Sequence, residues 1–125
     1  MLPKSHSILI EEWIDLLTTF QNQWFLQNTD NYYQSPIWQN IQVYLREKII
    51  PFSGELFDSN VARLWQSWQT ETHRCIRLLN TDLLFFASAK QISTRQAKAS
   101  LIDQHLRSAI ALSENLLNKA MGNRE

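Results

Sequence analysis

The sequence predicts an all-α protein that folds as an antiparallel bundle of about four helices. Glycine occurs only at Gly54 and Gly122, which are too few for the tight turns of a β-rich fold. Residues 58–91 contain neither Gly nor Pro, and their apolar residues recur at helical spacing. An unbroken helix of about thirty residues would be roughly 45 Å long. Because isolated helices are marginally stable in water, a helix of that length needs partner helices along it.

Two helices are predicted before this stretch. The first runs from about Ser7, a candidate N-cap, to Asn28. The second follows Ser35 and has Pro36 at its first position, where the missing N–H of proline costs nothing. It ends or kinks just before Pro51, because proline disfavours helical geometry in the preceding residue. The apolar stripe of the first helix consists of Ile10, Trp13, Ile14, Leu17, Phe20 and Trp24.

The other two helices are predicted to form a long hairpin. The third runs from Ser59 to Lys90 and has Asp58 or Ser59 as its N-cap. The fourth begins at Ser93, which has capping-box spacing to Gln96, and extends to the second glycine of the chain. Only about three residues separate the two helices, and so short a link makes them antiparallel neighbours. The first two helices add a tryptophan-rich layer.

Length and composition bound the class of protein. A chain of 125 residues is expected to be a single domain, residues 1–125, and 44% hydrophobic residues with five Trp indicate a folded core. The lone cysteine, Cys75, makes no intramolecular disulfide and suggests a reducing compartment. The N-terminus has no secretory pattern, and no run approaches the roughly eighteen consecutive apolar residues of a transmembrane helix. We therefore expect a cytoplasmic protein with no membrane partner.

Charge is unevenly distributed along the chain, although the formal net charge is zero. Residues 1–60 hold three basic and seven acidic side chains, and residues 61–125 hold nine basic and five acidic ones. This asymmetry either arises by chance or makes the molecule dipolar. A dipolar molecule can associate head to tail or offer a basic face to an acidic partner, so a homodimer is among the expected assemblies.

No pattern in the sequence predicts a catalytic or metal site. A metal site in a bundle needs Glu-x-x-His pairs on facing helices, whereas Glu71 and His73 are two residues apart. Cys75 lies on an apolar stripe, where a free cysteine is usually a small buried hydrophobe. A pair of Cys75 with His105 is geometrically possible, but it lacks a third group and an oxyanion motif. We expect a protein that is not an enzyme and that uses no cofactor.

Two polar residues are predicted to lie inside the bundle. A heptad-like count from Val61 places Asp82 on the inward side of the third helix. A buried carboxylate must be paired or protonated, and its candidate partners are Arg95 and Lys98 on the other arm of the hairpin. His105 lies near the apolar edge of the fourth helix, where a hydrogen-bonded, partly buried histidine is the default.

One side of the third helix is a candidate docking surface for a protein. Arg63, Arg74 and Arg77 lie near one another there, together with His73, and we call these four residues the arginine face. The alternative is an ordinary solvated helix face. Arginine is favoured at interface hot spots, whereas a neutral chain without a helix-turn-helix or RNA-binding signature argues against nucleic acid. The aromatic residues nearest a loop, and so the candidates for exposed anchors, are Trp38, Tyr32 and Tyr33.

Several short segments resemble a known family. The chain opens with Met1-Leu2-Pro3, and the third helix contains Gln69-Thr70-Glu71, Arg77-Leu78-Leu79 and Asp82-Leu83-Leu84-Phe85 with Ala87 and Ala89. The turn that follows reads Gln91-Ile92-Ser93-Thr94 with Arg95-Gln96. These segments resemble the family of the cyanobacterial heterocyst-frequency control protein PatD, best over residues 61–106. The resemblance implies a small cytoplasmic helical regulator that is associated with the tubulin-like division protein FtsZ and with heterocyst frequency.

The leading hypothesis is a non-enzymatic module that docks on FtsZ through the arginine face and modulates its assembly, thereby influencing cell division. One alternative is a small-ligand sensor or enzyme that uses a pocket inside the bundle near Cys75, Asp82 and His105. Another is a self-associating structural protein.

Overall fold

The computed structural model describes residues 4–26, 34–52 and 58–121. Its helices are α1 (Lys4–Leu26), α2 (Pro36–Tyr44), α3 (Ser59–Ser88) and α4 (Ile92–Met121). A short π-helix, Leu45–Ile49, continues α2 without a break. These described residues contain no strand, and α3 packs along α4, which confirms the predicted all-α bundle with its long hairpin.

The start of α1 differs from the prediction. The helix already includes Lys4, the first described residue, so Ser7 is not its N-cap. Ser7 lies within the helix and is only 8% exposed, because the helical turn brings this position to the inward side. The described helix extends to Leu26, and the predicted end at Asn28 lies outside the described residues.

The start of α2 agrees with the prediction. Ser35 is the N-cap, because its hydroxyl accepts a hydrogen bond from the backbone N–H of Trp38 at 3.3 Å. Pro36 occupies the first position of the helix. The expectation that Trp38 is an exposed anchor is wrong: its ring is on the inward side of the helix and is 0% exposed. The other two candidate anchors, Tyr32 and Tyr33, lie outside the described residues.

The π-helix forms a corner at the end of α2. Its hydrogen bonding is that of a wider turn, in which the N–H of Ile50 donates to the carbonyl of Leu45, five residues earlier, at 2.9 Å. Leu45 and Ile49 are both buried. The helical segment ends just before Pro51, where the sequence predicts an end or a kink.

α3 closes this corner with two side chains. The amide of Gln69 donates to the carbonyls of Ile49 and Phe52 at 2.7 Å each. The Ile49 carbonyl also accepts from the backbone N–H of Phe52 at 3.3 Å. The ring N–H of Trp65 donates to the same Phe52 carbonyl at 3.1 Å. The His6 ring of α1 packs edge-on against Phe52 and Trp65. Three segments of the chain therefore meet at one end of the bundle.

α3 begins as predicted and ends slightly earlier. The carboxylate of Asp58, one of the two predicted caps, accepts a hydrogen bond from the N–H of Val61 at 2.9 Å. The last helical residue is Ser88 rather than Lys90, because Ala89 adopts an extended backbone conformation. The three residues 89–91 then connect α3 to α4.

α4 starts earlier than predicted. The backbone N–H of Arg95 donates to the carbonyl of Gln91 at 3.0 Å, which places Gln91 at the N-cap position and Ile92 first in the helix. The predicted start at Ser93, with a capping box to Gln96, is therefore wrong, since both residues already lie within the helix. The second glycine, where the helix is predicted to end, lies outside the described residues.

One hydrophobic core joins the four helices. It contains all five tryptophans of the chain, Trp13, Trp24, Trp38, Trp65 and Trp68. α1 packs mainly against α4 and α2, and α3 mainly against α4, so α1 and α3 occupy diagonal positions in the bundle. α1 and α3 meet through ring contacts in the core, so their outward faces lie on different sides of the bundle. No described helix combines the length and the apolar character needed to cross a membrane.

Candidate functional site

The arginine face lies on the solvent side of α3. Arg63, His73, Arg74 and Arg77 are all exposed, because the inward positions of the helix carry its apolar residues. The acidic neighbour Glu71 has its carboxylate 3.4 Å from Arg74. Such an exposed pair contributes little free energy and leaves both groups accessible. Arg63 and Arg77 form no ion pair within the described ranges, so this side of the helix is basic.

His73 and Arg77 also line a cleft between α3 and the corner that follows α2. The cleft has a volume of ≈ 300 Å³. Buried Leu45 and Ile76 form its apolar floor, and its polar lining includes Asn80. An arginine beside an apolar floor suits an acidic side chain that is attached to an apolar segment of a protein.

Asn80 fixes the wall of this cleft. Its side-chain carbonyl accepts hydrogen bonds from the ring N–H of Trp38 at 3.0 Å and from the amide of Gln42 at 3.2 Å. Both donors come from α2 and the acceptor from α3, so the network holds the two helices at a set separation. The hydrogen bond to Asn80 and the packing of the ring against Phe20 therefore explain why Trp38 is buried.

Asp82 lies on the inward side of α3, where it is 6% exposed. Its Oδ1 is 3.7 Å from Nζ of Lys98, and its Oδ2 is 2.9 Å from Nδ1 of His105. The second distance is short, but the two atoms lack the alignment of a hydrogen bond. His105 is half-buried. Asp82, Lys98 and His105 form a cluster that joins the two arms of the hairpin, and we interpret it as a structural contact.

The two expected partners of Asp82 have different roles. Lys98 approaches the carboxylate, whereas the guanidinium of Arg95 donates to the carbonyls of Phe86 and Ala89 at 3.1 and 3.4 Å. The same guanidinium lies 4.3 Å from the centroid of the Phe86 ring. Arg95 thus fastens the end of α3, and His105 is a neighbour of Asp82 that the sequence did not predict as its partner.

The residues that an internal ligand pocket would use are only partly brought together. Asp82 and His105 are in contact, but Cys75 lies two helical turns before Asp82 on α3. The cleft beside His73 contains none of these three residues, and neither do the clefts at Leu16 and Leu64. Within the part of the chain that the structure describes, no three His, Cys, Asp or Glu side chains form a group that could hold a metal ion.

Cys75 is buried, and we expect it to react slowly with thiol reagents in the folded protein. Burial raises the pKa of its thiol, the Glu71 carboxylate raises it further, and the Arg74 guanidinium lowers it in part. Less thiolate and less access both slow alkylation at neutral pH. The measurement is labelling by iodoacetamide, followed by mass spectrometry, with and without denaturant. Labelling of the folded chain as fast as that of the unfolded chain would contradict the buried position.

A groove between α1 and α2 is a surface feature that the sequence analysis missed. One part, of ≈ 330 Å³, is lined by Glu12, Asp15, Leu16, Thr19 and Tyr44. An adjoining part of ≈ 250 Å³ shares Leu16 and Tyr44 and adds Asn40, Val43, Glu47 and Lys48. We call the two parts together the acidic groove, because three carboxylates and one cation line it. The lining residues come from separate helices, so no local pattern in the sequence predicts the groove. The excess of acidic residues in the first half of the chain is the one sequence feature that points to it.

Tyr44 anchors one wall of the acidic groove. Its hydroxyl donates to the carbonyl of Leu9 at 2.8 Å and approaches the carboxylate of Glu12 at 3.2 Å. Burial, followed by the charge of Glu12, raises the pKa of Tyr44 well above its ordinary value of about 10. Its ring stacks on the buried Trp13 of α1. The charged and polar boundary of the groove therefore includes a neutral tyrosine, three carboxylates and the cation of Lys48.

Comparison of the chain with protein-family models, with curated proteins and with solved structures finds no match.

Proposed function

We propose that the protein is a non-enzymatic cytoplasmic regulator that binds FtsZ and modulates its assembly by contact. The observation that carries the proposal is the arginine face, a basic surface on the solvent side of a long rigid helix. The cleft beside His73 and Arg77 extends this surface toward α2. Charged surfaces of this kind steer an oppositely charged partner and select its orientation.

The identity of the partner comes from the resemblance of residues 61–106 to the PatD family, which is associated with FtsZ. Proteins of the FtsZ type are acidic, so a basic docking surface is complementary to them. Two of the segments that carry the resemblance have structural roles in this chain, since Gln69 holds the corner after α2 and Asp82 joins α3 to α4. They support a scaffold that presents the arginine face.

The mechanism follows from mass action. A protein that binds assembled FtsZ more tightly than free subunits stabilises the polymer, and one that prefers free subunits restrains assembly. Neither case needs a reaction at the bound surface. This agrees with an arginine face whose members are exposed and arranged along one helix rather than gathered around a substrate-sized pocket.

The proposal is tested with purified FtsZ, GTP and this protein. We expect the protein to sediment with FtsZ and to change the light scattering of the assembling polymer. Arg74→Glu with Arg77→Glu should lower the apparent affinity at least about tenfold, which corresponds to about 1.4 kcal/mol, because like charges would then face an acidic partner.

The matched control is Arg107→Glu with Lys119→Glu, which makes the same charge change at exposed positions of α4. Circular dichroism should show that both variants keep their helices. If the wild-type protein neither sediments with FtsZ nor alters its assembly, the proposal is wrong. If both variants lose affinity equally, the binding depends on overall charge and not on the arginine face.

A further inference from the structure

The outward side of α3 carries a ridge that combines apolar and basic side chains. Leu78 and Phe85 are spaced by two helical turns on this side and are 39% and 54% exposed. Arg74 lies one turn before Leu78 on the same stripe, and Nζ of Lys98 lies 4.9 Å from the centroid of the Phe85 ring. We call Arg74, Leu78 and Phe85 the α3 ridge. Apolar groups of this size among cations are typical of a contact surface.

The acidic groove on the other side of the molecule has the complementary character. Glu12 and Asp15 supply negative charge along its α1 wall, and Leu16 and Val43 supply apolar surface. Val43, which belongs to α2, is 38% exposed. A groove between two helices is a common receptor for the apolar stripe of a third helix.

The two surfaces cannot meet within one molecule. The groove includes the outward face of α1, the ridge is on the outward face of α3, and these helices are diagonal in the bundle. A contact between the ridge of one copy and the groove of another therefore leaves a free groove and a free ridge at the two ends. Such a heterologous contact adds further copies unless the rotation happens to close a ring.

We propose that the protein self-associates head to tail, with the α3 ridge of one copy bound in the acidic groove of the next. Opposite charge on the two surfaces selects this pairing over ridge with ridge or groove with groove. The inference goes beyond the binding of FtsZ and does not depend on it. Because Arg74 belongs both to the ridge and to the arginine face, a second copy and another protein partner compete for α3.

Analytical ultracentrifugation of the purified wild-type chain tests the association. At low salt we expect the average mass to rise with protein concentration and to pass that of a dimer. High salt should reverse the rise, because exposed charges are screened beyond about 10 Å at about 0.1 M salt. A mass that stays at the monomer up to about 1 mM protein contradicts the proposal. A plateau at the dimer contradicts it as well, because it indicates a closed two-fold contact.

Two variants with opposite charge changes identify the surfaces. The ridge variant is Arg74→Glu with Phe85→Glu, and the groove variant is Asp15→Lys with Thr19→Lys, all at exposed positions. Glu12 is left unchanged because its carboxylate lies 3.2 Å from the Tyr44 hydroxyl. Each variant alone should sediment as a monomer. An equimolar mixture should regain growth, since the acidic ridge fits the basic groove and the two unchanged surfaces still fit each other.

The recovery in the mixture also shows that both variants are folded. A matched control, Glu114→Lys with Asn118→Lys on α4, makes the same charge change as the groove variant and should associate like the wild type. Continued association of either variant alone, or a mixture that stays monomeric, would overturn the assignment of the two surfaces. The groove variant keeps the arginine face, so it should still act on FtsZ, which separates failure of this inference from failure of the proposed function.

Discussion

Replacing Trp65 with alanine is expected to lower the free energy of unfolding by about 3–5 kcal/mol. The ring is 1% exposed, and its centroid lies 4.9 Å from that of Trp68 and 4.8 Å from that of His6. Truncation leaves a cavity and removes the donor to the Phe52 carbonyl. Since a domain of this size is stable by only about 5–15 kcal/mol, one substitution would remove a large share of its stability.

Urea denaturation followed by circular dichroism measures this loss. Trp65→Phe is the matched control, because it keeps most of the ring and loses the hydrogen bond to Phe52, for an expected cost nearer about 1 kcal/mol. Comparison of the two variants separates packing from hydrogen bonding at the corner. A Trp65→Ala protein that unfolds within about 1 kcal/mol of the wild type would show that the corner is not held by this ring.

The second large effect is expected when Asp82 loses both of the α4 side chains that approach its carboxylate. Lys98→Met with His105→Leu leaves a carboxylate that is 6% exposed without compensation, and we expect a loss of about 3–5 kcal/mol. Adding Asp82→Leu removes the stranded charge. The triple variant should therefore recover most of the loss, because an apolar replacement of a buried ion pair is often neutral or stabilising.

The same denaturation experiment, applied to all three positions singly and together, gives the coupling energies. A double variant as stable as the wild type would mean that water reaches Asp82 and that the cluster contributes nothing. A triple variant as unstable as the double one would mean that the loss comes from packing around Lys98 and His105. Either result would remove the cluster as the contact that fixes the register of α3 against α4.

The features that the sequence predicts well are those that depend on helical periodicity. The length of α3, its antiparallel pairing with α4 and the inward position of Asp82 all follow from residues that are close in the sequence. The caps at Ser35 and Asp58 follow from short polar side chains directly before an apolar stripe. These elements need no knowledge of the partner helices.

The sequence misplaces two helix starts, and it misses two features that depend on contacts between distant residues. Ser7 and Ser93 precede helical stretches as N-cap residues do, yet α1 and α4 begin before these two residues. Gln69 binds the Ile49 carbonyl at the end of the π-helix from 20 residues further along the chain. Trp65 binds the nearby Phe52 carbonyl from 13 residues further along. The acidic groove could not be predicted for the same reason, because its two walls come from α1 and α2.

The diagonal placement of α1 and α3 gives the molecule two unlike sides, one acidic and one basic. Any array built by repeating the same contact would then have all its subunits pointing the same way and two ends that differ. One end of the array would expose a free groove and the other end a free ridge. The ridge variant keeps its groove, so it could join a wild-type array only at the end with the free ridge. A small helical bundle would in this way impart a direction to any array that it forms.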